Sequence, residues 1–395
     1  MYSIGIAGPL DLNILCDSLG LSSSRFPRGL GGTVLPHILI ELAKRGQKII
    51  VFTLDLTVNA PLIIEKDLVK IYVCPSRINH KARDIFALER RYLLDCMQKE
   101  KPDIINAHWS YEFALAALSS GIPTLVSAHD IPLQILRYNF SPYQFMRTLM
   151  AFEVLRKIDG MTVESEYVQF HLSKYVSSKG KISVIPNGLS IDVFSIFKEK
   201  KEKANKTIIF AAALNGWGRR KNTKKLIQAF SIVHKEIRSS ELWLFGIGHG
   251  NNEPAMLWAQ KNNVADGIHF WGETDNQTML RLWVDNVDVI VHPALEESFC
   301  MTIIEGMAVG IPVIGGVKSG AVPETLGFGK GGILVDVSSP PLLAEIMLEL
   351  ASDTNKRQQY SNSGRAYALA NYRIEHVVDL YEAQYQNLSN PIVYE

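Results

Sequence analysis

Two glutamates, Glu297 and Glu305, stand eight positions apart in the run HPALEESFCMTIIEGMAVGIPVIGG and flank what reads as a strand-to-helix turn. An apolar strand over 287–292 ends at Pro293, and a helix begins near Cys300 or Met301. Gly310 and Pro312 stop that helix ahead of a second strand over 313–315. In a parallel sheet such a loop lies beyond the carboxyl ends of the strands, where ligands collect. With Glu297 in the loop and Glu305 on the helix, both carboxylates can face one crevice. The backbone N–H groups of Ser298, Phe299, Cys300, Met301 and Thr302 would point into it. Amides at a helix start bind phosphate, and carboxylates accept hydrogen bonds from sugar hydroxyls. A sugar nucleotide needs both. Either glutamate alone reads more simply as a solvated surface side chain.

A second chemical group is the basic run Gly216-Trp217-Gly218-Arg219-Arg220-Lys221-Asn222, placed after a strand and before a helix. A nucleoside diphosphate needs cationic neutralisation. No Asp-x-Asp triplet is present to hold a divalent metal. Cationic side chains together with helix N-termini are the metal-free alternative, and no metal or other cofactor is expected. A basic helix start beside a loop is the plainer reading. Further along, Ser127-Ala128-His129-Asp130 sets His129 at the carboxyl end of an apolar strand, and His108 ends another. Gly31 and Gly32 close a long loop directly before a helix, where a backbone can approach a phosphate or an acceptor.

The elements that must position these groups alternate. Strands are predicted over 2–7, 48–53, 69–73, 104–107, 124–128, 161–164 and 181–185. Helices are predicted over 33–45, 82–99, 112–119, 142–156 and 166–175. After a charged stretch a second series follows: strand 207–212, helix 223–236, strand 241–245, helix 253–262 and strand 268–271. Two helical patterns fill 353–387. Such alternation implies parallel sheets covered on both faces. The fold class is therefore α/β with two doubly wound, Rossmann-like domains facing across a cleft. The expected divisions are a first domain at 1–195, a charged linker at 196–206, a second domain at 207–370 and a terminal helix at 371–395.

Composition sets bounds on this reading. At 395 residues the chain is too long for one core and suits two. A hydrophobic share of 47% and a net charge of +1 leave ample core material and no field that would attract nucleic acid. Cys16, Cys74, Cys96 and Cys300 show no CxxC spacing, which argues against structural zinc and fits a reducing cytosol. No signal-peptide pattern and no membrane-length apolar run is read, so the expectation is a cytoplasmic protein. Arg83, Arg90, Arg91, Lys99 and Lys101, interleaved with Phe86, Tyr92 and Leu93, make a solvated helix face the plain reading. Contact with anionic lipid at the inner face of a membrane is the sharper one.

The run Glu297, Phe299 and Glu305-Gly306-Met307-Ala308-Val309-Gly310-Ile311-Pro312-Val313-Ile314 closely resembles the donor-binding signature of retaining glycosyltransferases of family 4, which have the GT-B fold. The resemblance spans nearly the whole chain and implies that 1–195 is the acceptor-side domain, that 207–370 binds the nucleotide-sugar, and that the helix at 371–395 crosses back onto the first domain. Gly306 stands where that family usually has Ala, and Ser298 and Cys300 where Gly is frequent. The family's phosphate-binding Lys matches Lys221. Its Gly-Arg pair has become Ala213-Leu214, so Arg220 or Arg219 must substitute, Arg220 being preferred. The resemblance further implies that Glu305 binds ribose hydroxyls, that Glu297 binds the donor sugar, and that His129 lies near the reacting carbon. Gly272 would border the base pocket, and Pro186-Asn187-Gly188 would lie at the domain junction. It implies a nucleotide-sugar donor and a glycan or lipid-linked acceptor in cell-surface polysaccharide synthesis. A nucleotide-sugar 2-epimerase on the same fold and a non-catalytic partner subunit are the alternatives.

Overall fold

The computed structural model describes residues 2–158, 160–176, 181–198 and 207–389. The chain divides into two compact units, Met1–Gly188 with Ile374–Glu395, and Leu189–Arg373.

In the first unit the described strands are β1 (Ser3–Ala7), β2 (Lys48–Asp55), β3 (Leu62–Lys66), β4 (Val69–Pro75), β5 (Ile104–His108), β6 (Thr124–Ala128), β7 (Gly160–Val163) and β8 (Lys181–Val184). They form one sheet in the order β3-β4-β2-β1-β5-β6-β7-β8, parallel throughout except for the β3–β4 pair at its edge. Strand β2 shows why the strands are apolar along their length. Ile49 and Val51 enter the core on one face, Ile50, Phe52 and Leu54 the core on the other. Helices cover both faces, so alternate residues have no solvent side to occupy. The helix Ile374–Ser389 closes one face: Val377, Tyr381 and Tyr385 are buried there, and Tyr385 Oη accepts from Asn106 Nδ2 at 2.8 Å. Arg45 holds it from outside through Asp379 and Glu382, both at 2.7 Å.

The second unit carries β9 (Ile208–Ala213), β10 (Ser240–Phe245), β11 (Ile268–Gly272), β12 (Val289–His292), β13 (Val313–Gly316) and β14 (Ile333–Val335). Among the described residues these make an all-parallel sheet, β11-β10-β9-β12-β13-β14. Strand order reverses between β9 and β12, so the loops leaving these two strands flank the position where ligands of such sheets bind. Trp283 is wholly buried and meets Phe245 edge-on, their ring centroids 6.2 Å apart. Burying a phenylalanine such as Phe245 contributes roughly 1.5–3 kcal/mol.

The boundaries depart from the sequence reading. The units divide at Gly188/Leu189 and Arg373/Ile374, because Leu189, Val193 and Phe194 pack into the second unit's core. Of the charged linker, 199–206 lies outside the described residues. The edge strand β3 and the helices Leu12–Ser18, Pro132–Tyr138 and Asn276–Asn286 were not foreseen. The helix expected over 82–99 begins only at Ala87, after a 3-10 turn Lys81–Asp84. Among the described residues no helix is long and apolar enough to cross a membrane.

Candidate active site

The loop after β9 and the loop after β12 are tied together before any ligand is considered. Asn222 sits at φ +58, a conformation its short polar side chain tolerates better than most. Its Nδ2 donates to the carbonyls of Pro293 (3.0 Å) and Val337 (2.9 Å). The Leu295 amide donates to the Arg220 carbonyl at 2.8 Å. These bonds bring the basic run to the acidic loop. Lys221 Nζ donates to Glu297 Oε1 at 2.6 Å, and Arg220 Nη1 to Glu297 Oε2 at 3.0 Å and to the Glu296 carbonyl at 3.1 Å. Arg220, not Arg219, is therefore the arginine that joins Lys221. Behind Glu297, the Ala321 amide donates to its carbonyl at 2.8 Å, and Gly320 bridges to it.

Sequence reasoning missed His292. It ends β12 with its side chain 2% exposed and Nε2 3.4 Å from Glu297 Oε1. Burial pushes its pKa down, against the opposing pull of Glu297, which makes it a neutral partner. Glu297 has the reverse balance. Burial would raise its pKa, but Lys221, His292 and Arg220 outweigh this and hold the carboxyl far below its ordinary range. Two cations thus face one carboxylate, leaving a surplus positive charge. The adjacent helix Met301–Ala308 adds the amides of Met301 and Thr302, which precede the first bonds of the helix, made by Ile303 and Ile304 to the Cys300 carbonyl. An anion is the natural occupant.

Glu305, on that helix, is 8% exposed. Its Oε1 accepts from Asn276 Nδ2 at 2.8 Å, a second partner that the sequence reading missed. Burial raises its pKa, with the Asn276 bond only partly offsetting. Glu297 and Glu305 both press on the same buried thiol, Cys300, after burial itself the causes that raise its pKa. The two carboxylates therefore share one neighbourhood. Phe299 is buried edge-on against Tyr372, centroids 5.6 Å apart, so its side chain belongs to the core. Gly272, at φ +70, ends β11 and receives the Gly246 amide at 2.7 Å; a Cβ there would lie 2.9 Å from the Gly250 Cα.

The first unit holds the remaining predicted residues. Gly32 is packed so closely that a Cβ would stand 2.3 Å from the Pro9 carbonyl oxygen, and the Gly31 amide donates to Leu10 at 3.3 Å. His129, its side chain 6% exposed, is held at both nitrogens. Nδ1 lies 3.0 Å from Glu164 Oε2, and Nε2 lies 2.8 Å from His108 Nδ1. Asn187 Nδ2 donates to the same Glu164 oxygen at 3.0 Å. With Glu164 accepting the Nδ1 proton, Nε2 accepts from His108, whose own Nε2 is buried without a partner among the described residues. Burial and the neighbouring His129 hold His108 neutral. The His-Asp pair is divided: Asp130 accepts from Tyr111 at 2.8 Å. The signals for Glu164 and Asn187 were a carboxylate at a strand end and an Asn-Gly turn, neither of which reveals a shared partner. Among the described residues no group of three or more His, Cys, Asp or Glu side chains is placed to hold a metal ion.

Comparison with known proteins gives a consistent picture. Residues 193–367 match the family model described as glycosyl transferases group 1, and residues 31–193 that of glycosyltransferase family 4. The N-acetyl-alpha-D-glucosaminyl L-malate synthase of Bacillus anthracis is 23% identical over 380 residues, covering 91% of this chain and 94% of that protein. A GDP-mannose-dependent monoacylated alpha-(1-6)-phosphatidylinositol monomannoside mannosyltransferase of Corynebacterium glutamicum is 25% identical over 233 residues, 55% of this chain and 60% of its own. Among solved structures, sucrose-phosphate synthase from Thermosynechococcus elongatus gives a TM-score of 0.76 at 18% identity, covering 98% of this chain and 99% of that one. HepE of Anabaena, in complex with UDP and glucose, gives 0.69 at 16%, covering 98% and 100%. At such identities the structural likeness speaks for the fold.

Proposed function

The chain belongs to the group 1, family 4 glycosyltransferases of GT-B fold, and from that premise we propose that it is a retaining, metal-independent hexosyltransferase acting on a glycan or lipid-linked glycan acceptor. The observation that carries this is the convergence of Lys221 and Arg220 on Glu297 at the β9/β12 reversal, beside the helix Met301–Ala308. In this reading the surplus cation and the helix amides hold the donor's diphosphate. Glu297 accepts from hydroxyls of the donor sugar and Glu305 from those of the ribose. As the bond from the anomeric carbon to the phosphate oxygen breaks, charge builds on the leaving phosphate, where preorganised cations lower the barrier. The acceptor oxygen attacks the same face and its proton passes to the departing phosphate.

His129, braced by Glu164, serves charge stabilisation near the reacting carbon by exchanging His108 for the substrate at Nε2, and makes no covalent bond. The Nδ1 bond to Glu164 supports an oriented imidazole. A lipid-linked acceptor draws support from the phosphatidylinositol mannoside substrate named for the Corynebacterium relative, and working at the inner face of a membrane follows from such an acceptor. The test is thermal-shift screening with UDP-, GDP-, ADP- and TDP-sugars in the presence of EDTA. One nucleotide class should stabilise the protein without metal, and Lys221→Ala should abolish the shift. Binding that appears only on adding a divalent ion would sink the metal-independent reading.

A further inference from the structure

The sequence suggested a lipid-facing surface on the 82–99 segment, but the structure turns Phe86 and Leu93 into the core, 1% and 0% exposed. A different feature of the first unit has the right chemistry. Between the turn before Ala87, the helix Glu112–Ser119 and the helix Pro142–Lys157 runs a groove of about 770 Å³, within the ~300–1,000 Å³ typical of ligand sites. Leu115, Met150 and Phe152 line its interior, and Ile85 and Leu149 form exposed lips at 41% and 46%. Phe145, 48% exposed, stands one helical turn before Leu149 and extends the apolar face outward.

The lip is held out by strain. Ile85 (φ +56) and Phe86 (φ +57) are consecutive non-glycine residues in the left-handed region, which is most unfavourable for a β-branched side chain. The turn sends Phe86 inward and Ile85 out to solvent. Around the groove stand three cations, Arg90, Arg156 and Lys157, against one carboxylate, Glu153, which pairs with Arg156 at 2.6 Å and Lys157 at 2.9 Å and leaves the rim net positive. Arg90 Nε is buried without a hydrogen-bond partner among the described residues. An apolar slot with a net cationic rim complements one ligand type, a hydrocarbon chain carrying an anionic head.

We propose that this groove takes an acyl chain of an anionic lipid and docks the first unit on an anionic bilayer. The inference rests on the lipid-linked-acceptor reading above and gives it a location. It is tested by flotation of the full chain with vesicles of phosphatidylcholine alone or mixed with phosphatidylglycerol. The chain should float with the mixed vesicles, release as salt is raised, and stay unbound with phosphatidylcholine alone. Leu149→Glu should lower the bound fraction about tenfold or more, and Arg90→Gln should lower it as well. An unchanged melting curve establishes that Leu149→Glu is folded; should it not fold, Phe145→Glu replaces it. No flotation, equal flotation on both vesicle types, or full retention of a folded lip variant overturns the proposal. A groove built for an acidic protein helix would give the first of these results. A chain that floats as described yet transfers no sugar upholds docking and fails as a transferase. One that glycosylates a soluble acceptor but ignores vesicles fails in docking alone.

Discussion

Lys221 Nζ and Glu297 Oε1 meet at 2.6 Å with their side chains only 15% and 13% exposed, and Arg220 shares the same carboxylate from its other oxygen at 3.0 Å. Removing the cation leaves Glu297 with Arg220 as its one remaining cation, so the loss should stay below the about 3–5 kcal/mol typical of a buried charge left unpaired. Lys221→Met should therefore lower unfolding free energy at neutral pH by less than that. Because folding depresses the Glu297 pKa, the linked stability is fully present above its ordinary value of 4.5 and is lost as pH falls toward the depressed folded value. The gap between wild type and Lys221→Met, measured by urea denaturation, should be widest near neutrality and narrow below that value. A gap independent of pH would remove the ion pair as its cause.

Glu305 has the opposite linkage. Burial raises its folded pKa, so its stability contribution is complete below the ordinary value of 4.5 and declines as pH rises through the raised one. Glu305→Gln keeps a carbonyl for Asn276 and removes the ionisable group. It should be as stable as wild type near pH 4.5 and more stable at alkaline pH. Nucleotide affinity should fall about ten- to hundredfold if ribose hydroxyls lose a charged acceptor worth roughly 1.5–3 kcal/mol. Calorimetric titration and melting curves read the two effects separately. Stability and affinity falling together would mean that Glu305 is simply structural.

Glu164 should act through His129. Glu164→Ala frees the imidazole that it anchors at 3.0 Å and leaves Asn187 without its acceptor. Misplacing such a group by about 1 Å can cost about a hundredfold in rate. The expected result is a kcat reduced about ten- to hundredfold with donor affinity unchanged, and partial rescue by Glu164→Gln, whose carbonyl oxygen can still accept from His129. Equal losses in Glu164→Ala and Glu164→Gln would point to charge and exclude positioning.

How far the sequence carried this reading differs by element. The helix Thr223–Glu236 and the strand β6 are recovered at their observed limits, because their apolar spacing and flanking breakers are local signals. Helix Asn276–Asn286 is mixed in composition, and its cap, Asp275 accepting from the Thr278 amide, gave the only start signal. Edge strand β3 is exposed at Ile63, and its neighbour Glu65 is polar, so it lacks the unbroken run of the interior strands. The turn at Ile85-Phe86 opposes local propensity outright and is settled by the burial of Phe86. In the site, Glu297, Glu305 and Lys221 were legible through a motif. His292 and Asn276 were not, since their roles depend on which side chains tertiary packing sets opposite them.

Gly306, standing where the family usually has alanine, is explained by its neighbour on strand β12, against which its helix packs. A Cβ at this position would lie 2.6 Å from Ile290 Cδ1 and 3.1 Å from Val313 Cγ2. Mid-helix alanine would gain about 1 kcal/mol in propensity over glycine, whereas overpacking a core commonly costs about 1–3 kcal/mol. Packing should win, so Gly306→Ala should lower the melting temperature. Ile290→Val deletes the atom that obstructs the new methyl. Alone it should cost about 0.5–1.5 kcal/mol, the usual range for that truncation. Combined with Gly306→Ala it should restore stability to wild type or above, because the propensity gain is then no longer opposed. A double-mutant cycle measured by denaturant unfolding would show a favourable coupling of about 1 kcal/mol or more, as expected for residues in contact. Strict additivity would mean that Val313 or the helix backbone, not Ile290, keeps this position a glycine.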